Sequence, residues 1–185
     1  MKTVRDTPKE VINILIKKAD IHPECSILEP SAGNGAILEA LALDYKQWHS
    51  FDVTAVELND DKFRHINGKL KNDLLARTFK SYQAFHSDFL KYNIPAGTGY
   101  DRVIAAPPFK DNIDLAHIKH MYNLLNEKGI LVSLTTPYWM TNNEEHQVKF
   151  RKWLADKKYS ITMLPDMTFV EKGKTVPTAI IKIYK

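Results

Sequence analysis

The sequence predicts an α/β fold with a central, mostly parallel sheet and helices on both faces. Short β-branched runs alternate with longer amphipathic segments along nearly the whole chain, and strands separated by helices of this length form parallel sheets with right-handed crossovers. A glycine turn, Gly33–Gly35, joins the first predicted strand to a helix. Only the loop from Asp166 to Val176 separates the last two strands, so we expect them to pair antiparallel at one edge.

The first half of the chain supplies three predicted strands. Residues 7–20 predict the first helix, with Thr7 as N-cap, Pro8 in the first helical position and Glu10 completing a capping box. An apolar face at helical spacing follows. The next segments are, in order, the strand SILEP (26–30), the helix AILEALAL (36–43), the strand DVTAVEL (52–58), a polar-faced helix over 60–79 and the short strand QAFHSD (83–88).

The second half continues the alternation. The strand DRVIAA (101–106) is ended by two prolines, and residues 111–129 predict an amphipathic helix with Gly129 as its C-terminal stop. A helix over 144–159 has Val148, Trp153 and Leu154 as apolar positions. The remaining strands are ILVSLTTP (130–137), SITMLP (160–165) and TAIIKIYK (178–185).

Composition places the chain among ordinary globular proteins. Its 185 residues are enough for one domain with a substantial core. The single cysteine, Cys25, has no internal disulfide partner, which fits a reducing, cytoplasmic location. The first apolar run is too short for a signal peptide or a membrane span, so no membrane association is expected. A net charge of +4 is compatible with a polyanionic partner.

Several polar residues stand at predicted strand ends. In open α/β sheets the ligand lies beyond the carboxyl ends of the strands, which puts residues 29–35, Glu57, Asp88 and residues 106–109 on one rim. Glycines let a ligand approach the backbone closely, Glu57 can accept from ribose hydroxyls, and Asp88 with Phe89 can meet an adenine ring. The alternative explanations are a plain turn for the glycines, a solvated carboxylate for Glu57, a helix cap for Asp88 and a core aromatic for Phe89. Three such strand ends in series favour a nucleoside-like ligand.

Together these residues resemble the class I S-adenosylmethionine-dependent methyltransferases, and most closely the N6-adenine DNA methyltransferases in which the cofactor motifs precede the catalytic one. The resemblance implies a Rossmann-like fold with a seven-stranded sheet and an antiparallel edge strand, and S-adenosylmethionine as the cofactor. It also implies that the cofactor is bound by Thr7, Pro8, the EPSAGNG loop (Glu29, Pro30, Ser31, Ala32, Gly33 and Gly35), Glu57, Leu58, Asp88 and Phe89.

The segment YDRVIAAPPF (100–109) resembles the family's catalytic strand and loop. There an Asn, Asp or Ser before the prolines and the carbonyl of the first proline accept hydrogen bonds from the target amine, while the next aromatic residue stacks on the extruded base. Such acceptors help a delocalised amine to attack and stabilise the developing charge. Pro107, Pro108 and Phe109 match this pattern, but Ala106 has no side-chain acceptor. The alternative is that the prolines only end a strand and Phe109 lies in the core.

Ala106 has three explanations. It is an engineered substitution that silences the enzyme, a natural decay into a cofactor-binding protein, or a change compensated by another acceptor. Candidate acceptors are Asp111, Asn112 and Asn142. We favour the first explanation because the rest of the motif set is intact. A missing preorganised partner costs about 10²–10³ in rate, so we expect impaired methylation.

The substrate is less well specified than the cofactor. This sequence ends soon after its final strands, so we expect a single methyltransferase catalytic domain over 1–185 without a separate target-recognition domain. Recognition would then come from loops or from a partner subunit. DNA is favoured over RNA as the nucleic acid partner. The alternatives are an RNA adenine or protein glutamine N-methyltransferase, and an inactive cofactor-binding subunit that presents nucleic acid to an active partner.

Three further features have ordinary structural explanations. His117 and His120 lack a third metal ligand, so a half-exposed helix face is favoured over a metal site. Tyr138 and Trp139 either line a base pocket or pack under a loop. A basic surface able to contact phosphates, or simply solvated, is formed by Lys149, Arg151, Lys152, Lys157 and Lys158.

Overall fold

The strands form one seven-stranded sheet and a separate hairpin. The computed structural model describes residues 7–109, 112–166, 168–171 and 174–185. The strands are β1 (Ser26–Glu29), β2 (Asp52–Glu57), β3 (Ser81–His86), β4 (Tyr100–Ala105), β5 (Leu125–Thr135), β6 (Lys158–Met163), β7 (Val170–Glu171), β8 (Lys174–Thr175) and β9 (Ala179–Tyr184). Strands β7 and β8 make the hairpin.

The order of the main sheet is β3-β2-β1-β4-β5-β9-β6. Its pairs are parallel except those of β9, which runs antiparallel to both β5 and β6. The predicted fold class is therefore confirmed. The antiparallel strand lies one place in from the edge, because β9 returns between β5 and β6 after the loop that follows β6.

Helices cover both faces of the sheet. They are α1 (Lys9–Ala19), α2 (Ala36–Asp44), α3 (Asp60–His65), α4 (Ala76–Thr78), α5 (Ile113–Asn123) and α6 (Glu145–Leu154). One apolar cluster lies between α1, α2 and the sheet, and a second lies between α5, α6 and the opposite face. The central strands β1, β4 and β5 are buried on both faces, which explains their continuous apolar runs.

The predicted helix over 60–79 is one helical segment with an unusual centre. Residues Ile66–Leu75 form a π-helix between α3 and α4. Ile66, Leu70 and Leu75 are buried in the same apolar cluster as α2. Among the described residues, no helix combines the length and the apolar character needed to cross a bilayer.

The predicted capping box at the first helix is wrong. Helix α1 begins at Lys9, and Pro8 is its N-cap, with no side-chain capping bond. Pro8 has an extended ψ of 143°, so it stands outside the helix and its carbonyl accepts from the N–H groups of Val11 and Ile12. Thr7 is thereby one residue too early to cap.

Two predictions in the second half of the chain also need correction. Gly129 does not stop α5, which ends at Asn123, because Leu125 already pairs with Tyr100 of β4. The next pair is Arg102 with Ile130, so residues 126–129 bulge out of the ladder. In α6 the buried side chains are Gln147, Phe150 and Leu154, whereas Val148 and Trp153 are only half-buried.

Candidate functional site

A cavity of about 640 Å³ lies beyond the carboxyl ends of β1, β2, β3 and β4. Its volume is in the range of small-molecule sites. The predicted site residues line it except Pro8, Gly35, Pro107 and Phe109. The lining residues that we did not predict include Asn34, Ala36, Ile37, Asn59, Asp60, Lys62, Ser87, Leu90, Ile113 and His117.

The loop after β1 brings backbone to the cavity at Gly33. Gly33 has φ +57°, and a Cβ built on it would meet no atom within 4 Å, so its open side faces space that a ligand can occupy. Gly35 has φ +86°, but a Cβ there would overlap Leu70 Cδ2. Gly35 therefore serves the packing of α2 against the π-helix, whereas Gly33 permits close approach.

Glu57 ties the ends of β1 and β2 together. Its Oε2 accepts from the N–H of Gly33 at 2.7 Å, and its Oε1 accepts from the N–H of Asn59 at 2.7 Å. A carboxylate has about four acceptor positions, so both oxygens can still accept from a ligand. Glu57 is thus a fixed acceptor at the cavity wall, which a freely solvated carboxylate would not be.

Glu29 is an acid buried at the cavity, and one of its carboxyl oxygens lacks a hydrogen-bond partner. Its side chain is 2% exposed, and Oε2 is buried without a partner among the described residues. Burial, with the nearby charge of Glu57, raises the pKa of Glu29 well above its usual range. Such an arrangement destabilises the ligand-free fold, and strongly perturbed acids cluster at functional sites.

Asp88 and Phe89 follow β3 and differ in exposure. Asp88 Oδ1 accepts from the N–H of Leu90 at 3.0 Å and so caps the 3₁₀ turn Phe89–Lys91. Phe89 lines the cavity but is only 3% exposed. Its ring packs against those of His117 and His120, with centroids 5.2 Å and 4.8 Å away. Stacking of Phe89 on a base stays a prediction.

His117 is a cavity residue that the sequence interpretation missed. The predicted half-exposed helix face is wrong for it, because α5 packs this face against Phe89 and leaves His117 6% exposed. Burial lowers the pKa of His117 to about 4, although the charge of Asp88 acts in the opposite direction. His120 is half-buried, and its Nε2 lies 2.7 Å from the carbonyl oxygen of Tyr92. No local sequence signal distinguishes the two histidines.

The double-proline loop closes the cavity on the β4 side. Ala106 is half-buried and lines the cavity, as does the exposed Pro108. Pro107 is buried. Phe109 packs partly into the core and meets Phe169 edge-to-face at 6.0 Å. The loop therefore places Ala106 at the wall of the cavity that Glu29, Glu57 and Asp88 also line.

Of the three residues predicted to replace the missing acceptor at position 106, the structure describes two, Asn112 and Asn142. Asp111 falls outside the described residues. Asn112 Oδ1 accepts from Gln147 Nε2 at 3.4 Å, and Asn142 is exposed. Neither asparagine lines the cavity.

Tyr138 and Trp139 differ clearly in exposure. Trp139 is 4% exposed and packs edge-to-face on Phe150, with ring centroids 5.0 Å apart. Tyr138 is 44% exposed on the same 3₁₀ turn, Pro137–Met140, which follows β5. Trp139 thus anchors the turn under the loop, and Tyr138 is available at its surface.

The predicted basic surface is partly used within the fold. Arg151 donates to the carbonyls of Trp139 and Asn142 and to Asn143 Oδ1. Lys157 Nζ lies 4.6 Å from the ring centroid of Trp153 and donates to that residue's carbonyl. The side chains that remain exposed there are those of Lys149, Lys152 and Lys158, of which Lys149 pairs with Glu145.

Comparison with protein-family models and with curated proteins gives no match. Among solved structures, a Listeria monocytogenes protein assigned to the class I S-adenosylmethionine-dependent methyltransferases has a TM-score of 0.73 and 18% identity. A type I restriction-modification methyltransferase subunit from Streptococcus thermophilus has a TM-score of 0.81 and 17% identity. A Thermotoga maritima S-adenosylmethionine-dependent O-methyltransferase has a TM-score of 0.67 and 15% identity.

These similarities extend over nearly all of the chain. The matches cover 97%, 97% and 100% of it, and 60%, 44% and 68% of the three structures respectively. The chain therefore spans about half the length of the first two. At these identities the comparison shows the fold, which is the Rossmann-like class I methyltransferase fold.

Proposed function

We propose that this chain is an S-adenosylmethionine-dependent methyltransferase domain. The observation that carries the proposal is the cavity at the carboxyl ends of β1–β4, which has an acidic wall and ends at the double-proline loop. The carboxylates of Glu57, Asp60 and Asp88 line it together with the buried carboxyl group of Glu29, and Lys62 is the one basic side chain among the described lining residues besides His117. This excess of negative charge suits a ligand with a sulfonium and an ammonium group.

The residues present fit this cofactor. Glu57 would accept from the ribose hydroxyls, because its two oxygens are fixed by backbone donors and retain free acceptor positions. Asp88 would accept from the adenine amino group, since the described residues engage its Oδ1 but give Oδ2 no partner. Glu29 would accept from the ammonium group through its unmatched oxygen. Bound there, the cofactor supplies the sulfonium methyl group for transfer.

We further propose that the acceptor is the N6 amino group of adenine in DNA. Support comes from the APPF loop after β4 and from the similarity to a type I restriction-modification methyltransferase subunit. The Pro107 carbonyl would accept one amine hydrogen, and Phe109 would stack on the base. Ala106 leaves the second hydrogen without a side-chain acceptor, so less tetrahedral character develops at the amine. A partner subunit would supply target recognition.

Restoring that acceptor tests the proposal. We expect Ala106→Asn to raise methyl transfer to adenine-containing duplex DNA by roughly tenfold or more, because one acceptor contributes about 10²–10³ in rate. The measurement is transfer of tritium from labelled cofactor to duplex DNA. Ala106→Leu, which fills similar space without an acceptor, is the matched control. Equal turnover by the native chain and the Asn variant would contradict the proposed role of position 106.

A second candidate function is a cofactor-binding subunit without activity of its own. It is favoured by one observation: neither Asn112 nor Asn142 lines the cavity to replace the missing acceptor. If it is correct, Ala106→Asn binds cofactor but transfers no methyl group to DNA. Parallel assays with RNA and with a glutamine-containing protein test the two alternative activities, which are methylation of adenine in RNA and methylation of a glutamine amide in protein.

A further inference from the structure

We infer that His117 reads the ring-nitrogen edge of the cofactor's adenine through a donated Nε2–H, while Asp88 reads the amino group. The inference rests on the proposed function, because it concerns the adenine end of the same cavity. His117 and Asp88 both line that cavity. Together they would make a donor and acceptor pair that recognises adenine specifically.

The position of His117 is fixed by the crossing of two elements. Helix α5 carries it, and the 3₁₀ turn Phe89–Lys91 packs against this helix. The imidazole lies on the Phe89 ring, with centroids 5.2 Å apart and planes at 52°. With 6% of its surface exposed, His117 has little freedom, and it lines the cavity together with Asp88 and Phe89, which follow β3.

The hydrogen bonding of the ring indicates its tautomer. His117 Nδ1 is buried and has no partner among the described residues. A buried N–H without an acceptor is rarer in folded proteins than an under-used acceptor, so we place the single proton of the neutral ring on Nε2. Burial keeps the ring neutral near pH 7, since it lowers the pKa to about 4. His117 then offers one donor, at Nε2.

Asp88 at this end of the cavity is an acceptor when ionised. Among the other lining side chains with donors, Ser87 already donates its hydroxyl to the carbonyl of Asp88, and Asn59 and Lys62 follow β2. His117, which packs on Phe89, is the remaining donor beside Asp88. Adenine presents an amino donor beside ring-nitrogen acceptors, so Asp88 alone matches only half of that edge. A site that accepts from the amino group through Asp88 and donates to an adjacent ring nitrogen would select adenine over hypoxanthine, because the carbonyl that replaces the amino group is an acceptor facing Asp88.

The test uses binding of S-adenosylhomocysteine and its 1-deaza, 3-deaza and 7-deaza adenine analogues, measured by titration calorimetry. We expect the native chain to bind one of the deaza analogues roughly tenfold more weakly, as loss of one hydrogen bond predicts. His117→Phe keeps a ring of similar size without the donor. It should bind S-adenosylhomocysteine about tenfold more weakly and no longer distinguish that analogue.

Two controls separate recognition from packing. His120→Phe changes the neighbouring ring on the same helix, which contacts Phe89 but does not line the cavity; it should retain discrimination. His117→Gln restores a side-chain donor and should recover part of the discrimination between S-adenosylhomocysteine and the deaza analogue. Unchanged discrimination in His117→Phe, or an equal loss for every ligand, would overturn the role of His117 while leaving the proposed function intact. Absence of S-adenosylhomocysteine binding by the native chain would overturn both.

Discussion

At the scale of single residues, two buried titratable groups mark the site, and their pKa values shift in opposite directions. Glu29 is held with a raised pKa and His117 with a lowered one. Burial drives both shifts because it disfavours the charged form of each group. Each residue therefore makes the stability of the ligand-free protein depend on pH, and the two dependences have opposite signs.

His117 should make the protein sensitive to mild acid. Its pKa falls from 6.5 to about 4 on folding, so the unfolded chain binds more protons between these values and stability is lost as the pH falls through them. The loss is at most roughly 3 kcal/mol. Denaturant unfolding at pH 7 and pH 5 should show a smaller decrease in His117→Phe than in the native chain. An identical decrease in both would contradict the buried, neutral state of His117, and His120→Phe controls for replacing an imidazole with a phenyl ring on the same helix.

Glu29 should destabilise the ligand-free protein at neutral pH. Its folded pKa is raised, so the penalty is absent near the unfolded value of 4.5 and grows as the pH rises through the folded pKa. We expect Glu29→Gln to raise the unfolding temperature at pH 8 by about 2–4 °C and by less at pH 5. The same variant should lose the stabilisation that cofactor confers on the native chain. A lower unfolding temperature of Glu29→Gln at pH 8 would contradict the unpartnered state of the Glu29 carboxyl group.

At the scale of elements, the loop between β1 and α2 does two separable jobs. Gly33 keeps its open side toward the cavity, and Gly35 lets α2 approach the π-helix. Both glycines have positive φ, which costs a non-glycine residue about 1–2 kcal/mol. Only Gly35 adds a steric overlap inside the fold, so the two positions should respond differently to the same substitution.

We expect Gly33→Ala to cost about 1–2 kcal/mol of stability and to weaken cofactor binding strongly, because its methyl group enters the cavity. Gly35→Ala should lower stability further, through the overlap with Leu70. Chemical denaturation and titration calorimetry on both variants are the measurements. Native-like binding by a folded Gly33→Ala protein would contradict close approach of the ligand at this loop.

At the scale of the whole molecule, the sequence predicts the sheet better than it predicts the contacts between helices and loops. The β-branched run over residues 52–57 forms β2 as its composition predicts. Because β2 and β3 pair in parallel, their carboxyl ends place Glu57 and Asp88 on one rim. Which residues then meet across the rim depends on how α5 crosses the turn after β3. His117 was missed for that reason.

Two other errors have local physical causes. The capping box failed because Pro8 is extended and becomes the N-cap itself. Gly129 does not end the helix, because the chain already pairs with β4 at Leu125 and then bulges. The sequence pattern of a helix-ending glycine is the same as that of a glycine in such a bulge. Propensity and pattern describe isolated elements, whereas strand pairing is a tertiary effect that overrides them.

The central claim is that the cavity holds S-adenosylmethionine. Titration calorimetry of the native chain with S-adenosylhomocysteine tests it most directly, because binding does not depend on the acceptor missing at Ala106. We predict one site per chain, strongly weakened in Glu57→Ala and Gly33→Ala but unchanged in Lys152→Ala, which lies on the exposed surface of α6. No binding by the folded native chain, or equal binding by all four proteins, would contradict the account.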